Sequence, residues 1–439
     1  MNVSGQAMRI STQKGWPLAT NRALRMVCYQ SFEEAEFLRE RWDALVERLD
    51  GDLYSSFDWC ATWWKHFGRG RQLAIYVATV HDELAAVLPL FRETIRWGPL
   101  SLKVVRIVGC DHLTTTCNVA VGPEWVVQVA EGLMTELCHD GKWDLIHMGS
   151  LPGYSQCTKA LADAIRCCRQ AGKVVFGDND YPHMVFELPG SFEEFVESLS
   201  TKERRNVRRD ERQLESVGAV RQHQPASVCD VEQALDRLSK LHTAYWVGRG
   251  RLGHFHEWPG VEAFHRDVAE RLFRRGRLAL VEVSVDGETV ASEYGGWFGP
   301  RMHWVIGARG RDLTSRIGFC ALVRAVLASG RRQIESTPGY YDYKRRLGAK
   351  VLGVQSIWVF SHGVMSRARA RIFWAVTWVI GQAYHRVWFW HLAPWLRRKF
   401  PGLWLPWLRA GLWPRFLRAN FLIAARRRSA GLTSTAETP

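Results

Sequence analysis

Between Tyr343 and Ala436 the chain has neither aspartate nor glutamate. That stretch carries 17 lysines and arginines, more than the whole net excess of +15, so residues 1–342 are close to neutral. The basicity belongs to a C-terminal segment, which argues against a nucleic-acid-binding body. The ten cysteines form no CxxC pair and no Cys/His spacing of the zinc kind, so no structural metal is expected. No continuous apolar core lies between Met1 and Thr20, so no secretory leader is read there. The expectation is a cytoplasmic chain with reduced, mostly buried thiols. Long apolar runs are also missing from the basic segment. Its longest uncharged stretch, Ile372 to His385, falls short of the roughly twenty residues a bilayer span requires.

What is present is enough for about two to three domains: 439 residues, 47% of them hydrophobic. Residues 1–20 read as a polar, flexible lead-in. Residues 21–188 read as a first α/β unit. Phe32, Phe37, Leu38, Trp42, Leu45 and Leu49 recur at helical spacing, and Gln72–Val80 and Leu84–Phe91 alternate as two strands around His81-Asp82-Glu83. Residues 189–362 read as a second unit. Ser191 followed by Glu194 is a capping-box signature. Thr201–Glu215 is a helix so rich in arginine that it is either a solvated face or a positive surface beside a phosphate-bearing ligand. Leu278–Val285, Thr289–Phe298 and Met302–Gly307 form a three-strand meander, followed by a helix from Ile317 and a strand at Gln333–Ser336. The fold class expected is α/β (α+β), with mixed central sheets flanked by helices.

The loop Arg309-Gly310-Arg311-Asp312-Leu313-Thr314-Ser315-Arg316-Ile317-Gly318 joins a strand to an amphipathic helix. A helix start offers free N–H groups and the positive end of the helix dipole, so with arginine support it suits a pyrophosphate. Gly295-Gly296 inside a strand marks either a bulge or a local packing accommodation.

The order Phe264, Gly276-Arg277-Leu278, Asp286-Gly287-Glu288-Thr289-Val290-Ala291, Arg301-Met302-His303-Trp304, Ser315-Arg316-Ile317-Gly318 and Tyr343-Lys344 resembles the acetyltransferase domain of cellulose-biosynthesis CelD-like proteins. That family is a branch of the GNAT superfamily, related to the FemAB peptidyltransferases. Trp42, Phe57, Trp59, Trp63 and Leu88-Pro89-Leu90 extend the resemblance to the first unit. It implies tandem GNAT-like domains, with acetyl-CoA or another acyl-CoA bound by the second. Val305, Ile306 and Gly307 would then lie beside the pantetheine arm, and Arg309, Arg311, Ser315, Arg316, Ile317 and Gly318 would hold the pyrophosphate. Tyr343 and Lys344 would stand near the acceptor cleft. The family's Asp and glycine-rich turn are replaced here by Glu335-Ser336-Thr337-Pro338-Gly339.

Such a site needs approximation of the reactants, strand N–H groups on the thioester carbonyl and a proton acceptor, but no covalent nucleophile. Candidate bases are Glu293, Glu335 and His303, and Tyr294 or Tyr343 would protonate the thiolate. The competing reading makes Glu293 a solvent-facing strand residue and His303 a satisfied structural one. From Ser366 to Arg428, 13 lysines and arginines alternate with tryptophans at 374, 378, 388, 390, 395, 404, 407 and 413. The 363–439 tail therefore reads as a basic, tryptophan-rich helical segment on an anionic membrane surface, at the inner face of the cytoplasmic membrane. Packing of those tryptophans on protein is the alternative, and nucleic acid is disfavoured. The expected activity is direct acyl transfer to an amine or hydroxyl of an exopolysaccharide or cell-envelope precursor. The alternatives are FemAB-like aminoacyl transfer from aminoacyl-tRNA and a non-catalytic role in a polysaccharide-synthesis assembly.

Overall fold

The computed structural model describes residues 24–382 except 98–99, 110–115, 118, 140–142, 154, 179–182, 249–252, 258–259 and 337–341. The lead-in, the turn Thr337-Pro338-Gly339 and the tail after Gln382 lie outside the described residues.

The first half runs β1 (Leu24–Tyr29), α1 (Arg39–Arg48), α2 (Phe57–Phe67), β2 (Gln72–Val80), β3 (Glu83–Trp97), β4 (Leu100–Ile107), β5 (Ala120–Val121), α3 (Val126–His139), β6 (Leu145–Pro152), α4 (Gln156–Cys167) and β7 (Val174–Asp178). The second runs β8 (His183–Glu187), α5 (Phe192–Ser198), α6 (Thr201–Glu215), β9 (Val220–His223), α7 (Val228–Gly248), α8 (His254–Glu257), α9 (Val261–Arg274), β10 (Leu278–Val285), β11 (Glu288–Phe298), β12 (Arg301–Arg309), α10 (Ser315–Ala328), β13 (Gln333–Ser336), α11 (Asp342–Arg346), β14 (Lys350–Leu352), β15 (Val354–Phe360) and α12 (Val364–Gln382).

Local chemistry accounts for the boundaries. Ser191 Oγ accepts from the Glu194 amide, and the Glu194 carboxylate accepts from the Gly190 amide, so both partners of the capping box are used. His81 and Asp82 both take positive φ, as do Asp286 and Gly287, the condition for tight two-residue hairpins that follow the strand twist.

The strands form two mixed sheets, β1-β2-β3-β4-β6-β15-β7, with β5 on β3, and β14-β8-β13-β12-β11-β10-β9. In each sheet one parallel pair is bridged by a helix: β4 and β6 by α3, β12 and β13 by α10. The two sheets also exchange strands across the expected 188/189 boundary. β8, expected with the first half, pairs with β13 and β14, whereas β15, expected with the second half, lies between β6 and β7. Its run Val354, Ile357, Val359 and Phe360 is buried, so it sits in the sheet interior, where both edges find partners.

The core continues across the halves. Trp59 of α2 meets Phe264 of α9 edge to face at 5.2 Å, and Phe67 lies 5.6 Å from the same ring. Trp42, Trp59, Trp63, Phe264 and Tyr294 are all fully buried. Around this core Arg277 pairs with Asp43 and Glu47, and Arg301 with Asp50. The halves are thus joined by aromatic burial with charges at the rim. Among the described residues no helix is long and apolar enough to cross a membrane.

Candidate functional site

Strands β11 and β12 pair regularly from Phe298/Arg301 inward until Gly295 opposes Trp304, after which Tyr294 opposes Ile306. Val305 is the extra residue of a β-bulge, which settles the glycine pair in favour of a bulge. A Cβ on Gly295 would run into the His303 carbonyl, so the backbones approach there as only glycine permits.

The bulge places Glu293 opposite Gly307. Trp304 Nε1 donates to Glu293 Oε2 at 2.7 Å, so the indole and carboxyl share one face of the sheet. A Cβ on Gly307 or Gly318 would collide with the Glu293 carboxyl oxygens. These two glycines therefore leave room for Glu293. Gly318, placed in the first turn of α10, lets that helix pass over a buried acid. The solvent-facing alternative for Glu293 is excluded because its exposure is 4%.

Helix α11 brings Lys344 to the same place. Its Nζ lies 5.0 Å from the centre of the Trp304 ring, and the residue is 2% exposed. Burial raises the Glu293 carboxyl to about 8, against the lowering effects of the Trp304 hydrogen bond, Arg309 and Lys344. Burial likewise lowers Lys344 to about 7, with Glu293 pulling it back up. The result is an acid and an amine that both titrate near neutrality, an arrangement suited to proton transfer. Tyr343 is half-buried beside them.

The arginines of the following loop have other partners. Arg309 donates to the Leu313 carbonyl at 3.0 Å and to the Tyr245 hydroxyl, with its guanidinium 4.2 Å from the centre of that ring. Arg316 pairs with Asp210 at 2.8 Å and with Glu203 at 3.5 Å on α6. These two fasten the loop to α7 and α6, while Arg311 is exposed. The N-cap residue of α10, Thr314, makes no side-chain capping bond, and its hydroxyl donates to Asp210. Its Asp210 acceptor is lowered: burial pushes the carboxyl up, but Thr314, Arg316 and Arg209 together outweigh that. Ser315 and Ile317 are half-buried in the first turn. Val305 and Ile306 belong to the core between the halves, and Gly307 is half-buried at the bulge.

Glu335 does not join this group. It lies opposite His303 in the β12/β13 register, and His303 and Trp304 point to opposite faces because side chains alternate along a strand. On its own face Glu335 meets His183 Nε2 at 3.0 Å, His303 Nδ1 at 3.3 Å and Arg301 at 4.0 Å. Burial pushes its carboxyl up, but His303, His183 and Arg301 outweigh that and hold it below the usual range. His303 is lowered to about 4, chiefly by burial, so the ring is neutral at pH 7. Asp52, from the first half, is pushed up by burial and by Glu335, although Ser55 and Thr116 donate to it. This polar cluster lies where the two halves meet.

Sequence reading missed one further network. His242 Nδ1 lies 3.1 Å from the Gly307 carbonyl, and its Nε2 accepts from the His254 amide at 3.2 Å. The two bonds define the tautomer, with the proton on Nδ1. His254 then meets His265 at 3.0 Å, and His265 meets the Tyr294 hydroxyl at 3.4 Å. Burial holds His265 well below its ordinary value and raises the Tyr294 phenol. The available signal was Tyr245 three residues after His242, which puts both on one face of α7, toward β12. Among the described residues no group of three or more His, Cys, Asp or Glu could hold a metal ion.

Residues 201–345 match the family model described as an acetyltransferase (GNAT) domain. No curated protein matches the sequence. Among solved structures, FemX is similar at 12% identity with a TM-score of 0.52, over 73% of this chain and 95% of FemX. A tandem GNAT protein from the clavulanic acid biosynthesis pathway is similar at 14% identity and a TM-score of 0.40, over 77% of this chain and 99% of its own. L-PGS from Bacillus licheniformis is similar at 12% identity and a TM-score of 0.46, over 78% and 96%. The FemX likeness speaks to fold alone. The second half thus contains the segment that matches the acetyltransferase (GNAT) domain model, within a mixed α/β architecture of two helix-flanked sheets.

Proposed function

We propose that the chain moves an acyl group from acetyl-CoA or another acyl-CoA directly to an amine or hydroxyl of an exopolysaccharide or cell-envelope precursor, as its resemblance to CelD-like proteins implies. The observation that carries the reading is the buried Glu293/Lys344 pair, held under a β-bulge beside the start of α10. Near pH 7.5 the amine of Lys344 is largely uncharged and the carboxyl of Glu293 largely protonated. Lys344 then takes the proton of the attacking acceptor and Glu293 supplies one toward the departing thiolate, with Tyr343 beside the acceptor.

The donor is read at the bulge and the first turn of α10. The first turn of α10, from Ser315 through Arg316 and Ile317 to Gly318, is read as the pyrophosphate cradle, with the amides of Ser315 and Arg316 preceding the helix's own hydrogen bonds, and Val305, Ile306 and Gly307 supply strand backbone to the pantetheine arm. Arg311 contributes free charge, while Arg309 and Arg316 hold the loop in shape. The mechanism needs no metal and no thiolate. The basic segment 366–428 is read as resting on an anionic membrane surface at the inner face of the cytoplasmic membrane.

The test is calorimetric titration of the purified chain with acetyl-CoA, longer acyl-CoAs and free CoA, followed by CoA release with candidate glycan precursors. Saturable binding that places acyl-CoA on this domain is expected. A second reading, FemAB-like transfer from aminoacyl-tRNA, is favoured by the FemX fold. Consumption of aminoacyl-tRNA without acyl-CoA binding would replace the first reading with the second. Binding of neither donor would leave the non-catalytic role.

A further inference from the structure

A second feature lies where β4, the start of β6 and the entry to α12 line a pocket of about 480 Å³. Lys103, Asp144, Ser361, Gly363, Ser366 and Arg369 are among its lining residues. The acid is already committed. Asp144 Oδ2 accepts from the Lys103 amide at 2.8 Å, and Oδ1 accepts from the Ser366 hydroxyl and, at 3.4 Å, from Arg369. Its charge is thus set against that of Arg369, which leaves the exposed Lys103 ammonium as the local excess.

Two buried polar atoms of the lining have no hydrogen-bond partner among the described residues, Ser361 Oγ and Arg369 Nε. Buried donors of this kind are costly unless something accepts from them. The first turn of α12 adds donors, since Arg367 is the first residue to bond back, to the Gly363 carbonyl. The pocket therefore presents hydrogen-bond donors and one uncompensated cation, which is the chemistry of a phosphate site.

The flank of the pocket identifies the source of that phosphate. Met365, Ile372 and Val379 are exposed at seven-residue spacing along α12, with Val364 and Trp374 also exposed, Trp374 on the other side of Arg371. Arg367 and Arg371 interleave with these residues, and no acidic residue follows until Glu437. An apolar stripe rimmed by arginine complements a bilayer with anionic headgroups. We propose that the pocket at the root of α12 binds the phosphate of an anionic lipid headgroup while the apolar face of α12 rests on the bilayer. The proposal rests on the membrane reading given above and adds a specific site to it.

The experiment uses the full chain, with dihexanoyl phosphatidic acid as a soluble probe in calorimetry and vesicles of phosphatidylcholine with or without phosphatidic acid in co-sedimentation. The wild type should bind both the probe and the anionic vesicles. Lys103→Glu, an exposed substitution, should weaken probe binding about tenfold. Ile372→Asp should lose vesicles while keeping the probe. Vesicle binding without probe binding overturns the pocket and leaves the membrane reading standing, whereas failure of both overturns both. Inorganic phosphate binding as tightly as the probe, or a Lys103→Glu variant with unchanged probe affinity, also overturns the lipid assignment.

Discussion

The two sheets share a plan, yet one buried acid in each is treated in the opposite way. In the first, Glu93 lies between Arg71 at 3.3 Å and Arg106 at 3.0 Å, so a buried acid is neutralised by two fixed cations. Most of the remaining core under α3 and α4 is aliphatic, from Leu88 and Leu133 to Met148 and Ile165. In the second, Glu293 is enclosed by an indole and two glycines, and the lysine nearest it is itself pushed toward neutrality. A compensated charge is inert structure, whereas a poorly compensated pair can exchange a proton at ordinary pH. The comparison makes the first sheet a packing partner and the second the bearer of the proposed chemistry.

The sharpest way to break this contrast is to remove the pair. Lys344→Met should lower kcat by about 10²- to 10⁴-fold, the range for loss of a positioned proton-transfer group, with acyl-CoA affinity little changed. The wild-type rate should rise through about pH 7 as Lys344 loses its proton and fall through about pH 8 as Glu293 does. Glu293→Gln should remove the alkaline fall. It should also move the acid limb to lower pH, because Glu293 raises Lys344. Gly318→Ala should disturb this profile more than acyl-CoA affinity, since its methyl meets the Glu293 carboxyl. A variant that loses affinity and keeps its profile would show that Gly318 serves the donor rather than Glu293.

Next in size is the join between the halves. Phe264→Ala removes a fully buried ring that contacts Trp59 and Phe67, and should cost about 3–5 kcal/mol in denaturant unfolding. Two separate unfolding transitions in the wild type would show instead that the sheets fold independently and that this core does not couple them.

A smaller effect concerns Asp52. Its folded carboxyl is raised from its ordinary 3.8 to about 7, so the protonated form is the one the fold favours. The associated stability is present below about pH 4 and is lost as pH rises through about 7. Asp52→Asn should therefore melt progressively higher relative to wild type as pH is raised from about 4 to about 7. A melting difference that is flat with pH would place the proton elsewhere in the cluster.

The smallest expected change is at Cys320. It is buried in α10, and its thiol is pushed up to about 12 by burial first and Glu211 second. Such a thiol is no nucleophile at neutral pH. Cys320→Ala should keep most of the turnover, and an acyl group trapped on Cys320 in the wild type would reverse the direct-transfer mechanism.

Much of this molecule was readable along the chain because its signals are local. Helical and strand periodicity located α6, β2, β10 and β13 to the residue, and turn residues marked several of their ends. The near-neutral body and the basic, almost acid-free tail are properties of composition, and the Gly/Arg loop before α10 is a contiguous pattern. What distance along the chain concealed was decided by tertiary structure. The exchange of β8 and β15 depends on which sheet has an open edge, a choice invisible within either strand. The division of Glu293 from Glu335 depends on the pleat, which sends neighbouring β12 side chains to opposite faces. The engagement of Arg309 and Arg316 depends on Tyr245, Glu203 and Asp210, roughly a hundred residues or more before α10's first turn in most cases. Residue type and order determine propensity and charge. Desolvation and partner choice, which move Glu293 and Lys344 toward neutrality, exist only once distant segments enclose them.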